Sequence, residues 1–305
     1  MKDLKKSDYN LYVPYTNDRV ILFNTFTGAI FIVDPELKAC LERGDLNSIP
    51  DEYRRELKEK GVLIPKELNE KELYSYMHNL QKYCTNYMSY VILLTYACNL
   101  KCPYCYEGAG EAYTKTMDEE TMNRVIKYIQ KSKETYHYSS LDIGLYGGEP
   151  LLCKKSCIKV LDALGNWSRD NNIKFTTNFT TNGTLLDEDI VEYMDKYRST
   201  VQITLDGPKD IHDTKRVYKD GRGTYDLIIE NLKKLKRCKG IYTSVRIHLA
   251  MDNLDRIPEL FLELDREGLS NSDNFYRYIA PITATTEFSC SYDKNTIHKK
   301  DSVAI

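Results

Sequence analysis

The chain has 305 residues, with 43 basic against 45 acidic residues and a formal net charge of −2. That balance offers no basic footprint for nucleic acid and no acidic tail, while the length suffices for one large domain plus a small one. The N-terminal Met-Lys-Asp-Leu-Lys-Lys-Ser-Asp lacks the apolar core of a signal peptide and no stretch reaches the length of a membrane span, so a cytoplasmic protein with no membrane partner is expected; there, nine cysteines read as metal ligands and free thiols rather than disulfides.

In chain order, residues 9–33 carry short β-rich runs, Arg19 to Asn24 and Ala29 to Val33, around a Thr27-Gly28 turn. A helix is predicted over Pro35 to Arg43, with Asp34 as N-cap and Pro35 at the start, and another over Asp51 to Lys60, ending at Gly61. Val62 to Pro65 resumes an apolar strand. This order suggests a small winged-helix-like module over 1–67, followed by a charged, Tyr-rich linker helix over 68–89.

From Val91 to about 282 strand and helix alternate, as in βαβ units with a parallel sheet. Strands are predicted at Val91–Leu94, Leu141–Tyr146, Lys174–Thr180, Thr200–Leu205, Thr243–Ala250 and Asn274–Ile279. The intervening helices fall at Asp118–Lys133, Lys155–Arg169, Asp187–Tyr197, Tyr225–Lys236 and Ile257–Glu267. The run Val91 to Leu94 reads as a buried strand that empties into a loop carrying Cys98, Cys102 and Cys105. Structural zinc sites close with four ligands, whereas this compact spacing has no fourth partner nearby and suits a 4Fe-4S cluster with one iron left open.

Cys98-x3-Cys102-x2-Cys105, with Tyr104 before the last cysteine, resembles the signature of radical S-adenosylmethionine (SAM) enzymes. The resemblance implies a partial (β/α)6 TIM barrel over 90–282, a fold that places its chemistry at the C-terminal ends of the strands. It also implies one 4Fe-4S cluster on these cysteines, SAM chelated by the open iron, and an electron donor such as flavodoxin or ferredoxin. Gly147-Gly148-Glu149-Pro150 looks like the family's GGE motif, which binds the SAM amino group; glycines admit close backbone approach and a carboxylate suits an ammonium.

By the same resemblance Tyr104 offers its backbone to the adenine. Thr204, in a Thr-Leu-Asp-Gly-Pro stretch similar to the family's Ser-Leu-Asp-Gly-Pro, binds the ribose or the methionine group, and Arg216, twelve residues on, pairs with the SAM carboxylate. Asn182, in Thr-Asn-Gly, touches SAM or only shapes its turn. For each there is a plain alternative: a β-turn, a strand-end cap, a solvated charge. Cys153 and Cys157 share a helical face but read as packed thiols, and the five histidines show no ligand spacing. Tyr146 stands where some sulfatase maturases carry a glutamine.

The N-terminal module resembles the peptide-recognition element fused to many radical SAM peptide maturases, which implies a ribosomally made precursor peptide as partner, its leader captured as an added strand. Within the family the resemblance is to peptide maturases with a SPASM-type auxiliary-cluster domain, including thioether-forming enzymes; a sulfatase-maturase-like enzyme and a non-catalytic peptide-binding paralogue are the other readings. Relatives with that domain place a run of cysteines after the sixth strand, whereas this sequence has only Cys290 there. The polar stretch 283–305 is therefore expected to be the remnant of a missing auxiliary domain, in a naturally shortened enzyme or the front of an interrupted gene, with a single cluster.

Overall fold

The computed structural model describes residues 3–16, 18–84, 86–108, 111, 113–284 and 286–297, in two compact units, 1–84 and 85–305. The first unit holds strands β1 (Leu4–Lys6), β2 (Asn10–Thr16), β3 (Arg19–Asn24) and β4 (Ile30–Val33), helices α1 (Pro35–Arg43) and α2 (Asp51–Glu59), strand β5 (Leu63–Pro65) and helix α3 (Glu70–Lys82). β2, β3 and β4 form an antiparallel sheet in that order, and β1 pairs antiparallel with β5. α1 begins where Asp34 accepts the Leu37 N–H at 2.7 Å and ends at Gly44, whose φ of 74° suits a residue without Cβ. Leu22, Val33, Leu41, Leu57 and Leu63 fill its core.

Asn24 ties this unit together. Fully buried, it donates to Ser7 Oγ (3.0 Å) and Asn10 Oδ1 (2.8 Å), and accepts from the Phe26 and Thr27 N–H groups (3.0 and 2.8 Å). The linker helix foreseen over 68–89 is shorter: α3 stops at Lys82, and Tyr87 already belongs to a strand of the second unit. A stretch rich in both Tyr and charge satisfies either backbone, so composition alone left the boundary open.

The second unit runs β6 (Tyr87–Thr95), α4 (Glu119–Tyr136), β7 (Ser140–Gly147), α5 (Lys154–Asp170), β8 (Lys174–Thr180), α6 (Glu188–Lys196), β9 (Thr200–Leu205), α7 (Lys209–Lys215), α8 (Tyr225–Arg237), β10 (Tyr242–Leu249), α9 (Ile257–Arg266) and β11 (Phe275–Pro281). Its six strands are parallel and lie in sequence order, with β6 and β11 as the sheet's edges. Asp118 and Asp187 cap α4 and α6 by accepting the Thr121 and Ile190 N–H groups. The short helix α7 lies where no element was foreseen.

Strand alternation gives the sheet two unlike faces. Ile92, Leu94, Leu141, Ile143, Leu145, Phe179, Val201, Ile203, Leu205, Val245 and Ile247 are buried with apolar residues of the helices. The α5 stripe Cys157, Val160, Leu161, Leu164 and Ser168 is of that kind, so Cys157 is a core thiol, its Sγ 3.3 Å from the Pro150 carbonyl. The other face carries Ser89, Asp142, Thr176, Asn178, Thr180, Gln202, Thr204, Arg246 and His248. Val91 belongs to that row and is 63 % exposed, which corrects the reading of Val91–Leu94 as uniformly buried: β6 is an edge, and only alternate residues reach the core.

Beyond β11 the chain is not simply polar. A 3-10 turn at Cys290–Asn295 buries Tyr292, which packs with Tyr104, Ala250 and Ile282. The remainder of the foreseen tail, 298–305, lies outside the described residues. No helix among the described residues is long and apolar enough to cross a membrane.

Because Asn24 joins the β3–β4 turn to β2 and the segment after β1, Asn24→Ala should strand several buried polar groups and destabilise the first unit by about 2 kcal/mol or more. Hydrogen exchange should show the loss across 4–65 while protection of β7 to β10 is kept; unchanged exchange in β2 and β3 would refute the assignment.

Candidate active site

The three cysteines sit on the irregular loop after β6, and main-chain bonds fix that loop from two sides. Glu149 N–H donates to the Ala97 carbonyl (2.9 Å), Gly148 N–H to that of Thr95 (3.0 Å), and Lys101 N–H to that of Val217 (2.8 Å). Cys98, Cys102 and Cys105 line one cavity of about 430 Å³ at the C-terminal ends of the strands, together with Tyr104, Gly147, Gly148, Asn182, Thr204 and Arg216. Burial raises the Cys98 thiol and pushes Cys102 up to about 12, so both stay protonated until a metal displaces the proton.

Among the described residues no three His, Cys, Asp or Glu side chains stand close enough to hold a single metal ion. Three thiols that line one cavity fit a polynuclear iron-sulfur cluster, whose thiolates each bind a different iron, better than they fit zinc.

The glycines have a reason within the chain itself. A Cβ on Gly147, whose φ is 131°, would lie 2.1 Å from the Thr95 carbonyl oxygen, and one on Gly148 2.4 Å from those of Tyr96 and Ala97. The β7 loop can lie against the cysteine loop only without side chains there. Glu149 requires a correction. It has no exposed surface, and its oxygens accept from Leu151 N–H (3.0 Å), Thr181 Oγ1 (2.8 Å) and Asn182 N–H (2.7 Å). Its carboxylate braces the β7 and β8 loops, while Gly147 and Gly148 line the cavity.

Asn182 shapes its turn and also reaches the cysteine loop. Its Oδ1 accepts the Thr184 N–H (2.9 Å), shaping the turn, and its Nδ2 donates to Asn99 Oδ1 (2.8 Å) and lies 3.8 Å from Cys98 Sγ. Thr204 faces the cavity from β9. Tyr146 meets Tyr106 hydroxyl to hydroxyl, and beside them Glu107 is half-buried, its carboxyl raised by burial.

A buried junction foreseen only in fragments fastens the cysteine loop to the sheet. The Tyr104 hydroxyl donates to Asp206, which is fully buried at the end of β9, and accepts from Arg216 Nη1 at 3.1 Å. Burial would raise Asp206, but the hydrogen bond from His248 Nδ1 (3.0 Å) and the charge of Arg216 hold it well below the carboxylate range. Burial lowers His248 despite Asp206, so it donates as a neutral imidazole. Asn253 closes the junction, donating to the carbonyls of Asp206 (2.7 Å) and His248 (2.8 Å). The sequence signal missed was polar residues at every second strand position: Gln202 with Thr204, Arg246 with His248.

A family model described as "Radical SAM superfamily" matches residues 92–264, more than half of the chain. The chain belongs to the radical SAM superfamily. Membership implies a 4Fe-4S cluster and SAM, and the three cysteines, the glycine backbone and the buried arginine fit that pair in one cavity. The chain is 26 % identical over 147 residues to the cysteine-type anaerobic sulfatase-maturating enzyme of Clostridium perfringens, covering 47 % of this chain and 39 % of that one. It is 27 % identical over 230 residues to the radical SAM cyclopropyl synthase TigE of Paramaledivibacter caminithermalis, covering 70 % and 46 %. The chain thus spans under half the length of these curated relatives.

Solved radical SAM structures share the fold. The sulfatase-maturating enzyme anSMEcpe with AdoMet and a peptide bound matches at a TM-score of 0.54 and 21 % identity, covering 70 % of this chain and 56 % of that one. Streptococcus suis SuiB bound to precursor peptide SuiA matches at 0.51 and 16 %, covering 97 % and 66 %.

Two outcomes test this geometry. Gly148→Ala forces the β7 loop off the cysteine loop, so SAM affinity measured calorimetrically should fall by at least ~10-fold, about 1.4 kcal/mol; an unchanged affinity would show that the contact does not shape the site. His212, buried behind Asp206, is lowered by burial from 6.5 to about 4. Between those values the unfolded chain binds the extra proton, so stability is full above pH 6.5 and falls as pH drops towards 4, by up to about 3 kcal/mol. Urea unfolding should lose more stability from pH 7 to 5 in wild type than in His212→Gln; parallel losses would remove His212 as the cause.

Proposed function

We propose that the chain is a SAM-cleaving enzyme that acts on a ribosomally made peptide. The observation that carries the reading is the convergence of Cys98, Cys102, Cys105, the Gly147-Gly148 backbone, Thr204 and Arg216 on one cavity. When bound there, the cluster would supply the electron that splits SAM and yields a 5'-deoxyadenosyl radical able to take hydrogen from the substrate. The chain's own part is to bind and orient. The glycine backbone takes the SAM ammonium, Arg216 its carboxylate, Thr204 a ribose hydroxyl or the methionine group, Asn182 a contact beside Cys98, and the Tyr104 backbone the adenine. Arg216 is suited to this because its Nε is buried without a hydrogen-bond partner and its charge cannot be lost.

A peptide substrate is favoured by the first unit, read as a winged-helix-like recognition module over 1–67. β4 is a sheet edge with Ile30 and Ile32 exposed, a place where an extended leader can add a strand. The printed descriptions of anSMEcpe and SuiB, each with a peptide bound, point the same way. A sulfatase-maturase-like activity is the second reading, favoured by the Clostridium perfringens relative; Tyr146 in place of glutamine speaks for a different substrate. A single cluster, a flavodoxin- or ferredoxin-type donor, a thioether product and a cytoplasmic setting belong to the same proposal.

Anaerobically reconstituted protein should form 5'-deoxyadenosine from SAM and dithionite and bind about four irons. The Cys98→Ala, Cys102→Ala, Cys105→Ala triple variant should lose both. SAM cleavage surviving in that variant would sink the reading, about eight irons would refute the single cluster, and leader affinity unchanged by deleting 9–65 would refute the module's role.

A further inference from the structure

The polar face of the sheet and the loops that follow its strands carry charges, and the carboxylates among them are held by several donors each. Asp142 accepts from Ser89 Oγ (3.2 Å), Thr176 Oγ1 (2.8 Å) and Asn178 Nδ2 (2.6 Å). Asp206 is held by Tyr104 and His248, and Glu149 by Thr181 and two backbone N–H groups. Arg246 differs. It lies in register between Thr204 of β9 and Tyr278 of β11 and lines the same cavity as the cysteines. Its side chain meets only a neutral group, the Tyr278 hydroxyl; its Nε is buried with no hydrogen-bond partner, and no carboxylate among the described residues pairs with it. Glu107, which lines the same cavity, forms no ion pair with it among the described residues.

Beside it Gln202 also lines the cavity, and its Oε1 accepts the Tyr278 hydroxyl at 2.7 Å. That bond fixes the amide with oxygen towards Tyr278, so its NH2 remains to donate. A permanent planar cation and an oriented amide donor, partly withdrawn from water and without a counter-charge, form a receptor for a carboxylate, which takes two parallel N–H bonds from an arginine fork. Arg216 already serves the cofactor's carboxylate in the proposed function, and Arg246 stands on a different strand, within the sheet.

We infer that Arg246 and Gln202 form a carboxylate-recognition site that selects a substrate presenting an acidic group at the reacting position. The inference rests on the proposed function in taking this cavity as the substrate's. An Asp or Glu side chain and a peptide's terminal carboxylate share the required chemistry.

The test is binding to the reconstituted full chain with SAM, read by saturation-transfer NMR. The probes are acetylated, amidated Ala-Ala-Xaa-Ala-Ala peptides with Xaa as Glu, Asp, Gln or Asn, and acetyl-tri-alanine with a free or amidated terminus. Wild type should prefer one carboxylate probe over its amide counterpart by ~10-fold, which also identifies the source. Arg246→Gln should abolish the preference and Arg246→Lys keep part of it, both variants keeping the thermal melt of wild type. Gln202→Leu should halve or further reduce the preference.

No preference in wild type, or one that survives in Arg246→Gln, overturns the inference. So does a SAM affinity that falls 10-fold in Arg246→Gln and Arg246→Lys alike, which would give Arg246 to the cofactor. SAM turnover in wild type is scored separately: its absence alongside a kept carboxylate preference would fault the proposed function and not this site.

Discussion

The hydrogen-bonded meeting of Tyr104, Asp206 and Arg216 is what the rest of the site depends on. The loop of Cys98, Cys102 and Cys105 has no strand or helix of its own to hold it, and it follows the end of β6. Tyr104 carries it to Asp206 on β9 and to Arg216 at the end of α7. Buried charges survive only when paired and hydrogen-bonded, and removing one partner of such a group costs roughly 3–5 kcal/mol. Here the carboxylate has the Tyr104 and His248 donors with Arg216 nearby, so the loop's position is tied to the ionised state of Asp206.

That junction also explains the division of the sheet. Residues facing the helices are apolar because the helices cover them; the alternate row is not covered by a helix and can keep Asp142, Gln202 and Arg246 if each finds a partner or a ligand. The same alternation leaves Val91 exposed at the β6 edge while Ile92, its neighbour, is buried.

Much of this was legible in the sequence because each βα unit carries local signals. Asp34 caps its helix as foreseen, β8 and β9 fall on the predicted residues, and the three cysteines line one cavity. What failed to show was long-range. Tyr104 and Asp206 are 102 positions apart, and no periodicity announces their bond. Glu149 reads as a ligand for an ammonium because nothing local tells that Thr181 and the Asn182 backbone, on another strand's loop, already use its oxygens. Gly147 and Gly148 were legible as glycines that permit close approach, but the partner approached, the backbone of 95–97, was not.

The segment after β11 shows the same limit. Its composition is polar, yet fold depends on where the few large residues land. Tyr292 lands on Tyr104, ring edge to face at 5.4 Å, while His248 meets the same ring at 5.2 Å. Lys215 then bonds Asp252 at 2.6 Å and lies over the Tyr292 ring, so α7, the β10 loop and the 3-10 turn are clamped together. Tyr104 is therefore held by its hydroxyl on one side and by two rings on the other. A loop fixed at a single aromatic residue by groups from β9, α7, β10 and the following turn has little freedom left at Cys105, which follows that residue, and at Cys102, two positions before it, and that is the rigidity that holding a cluster would require.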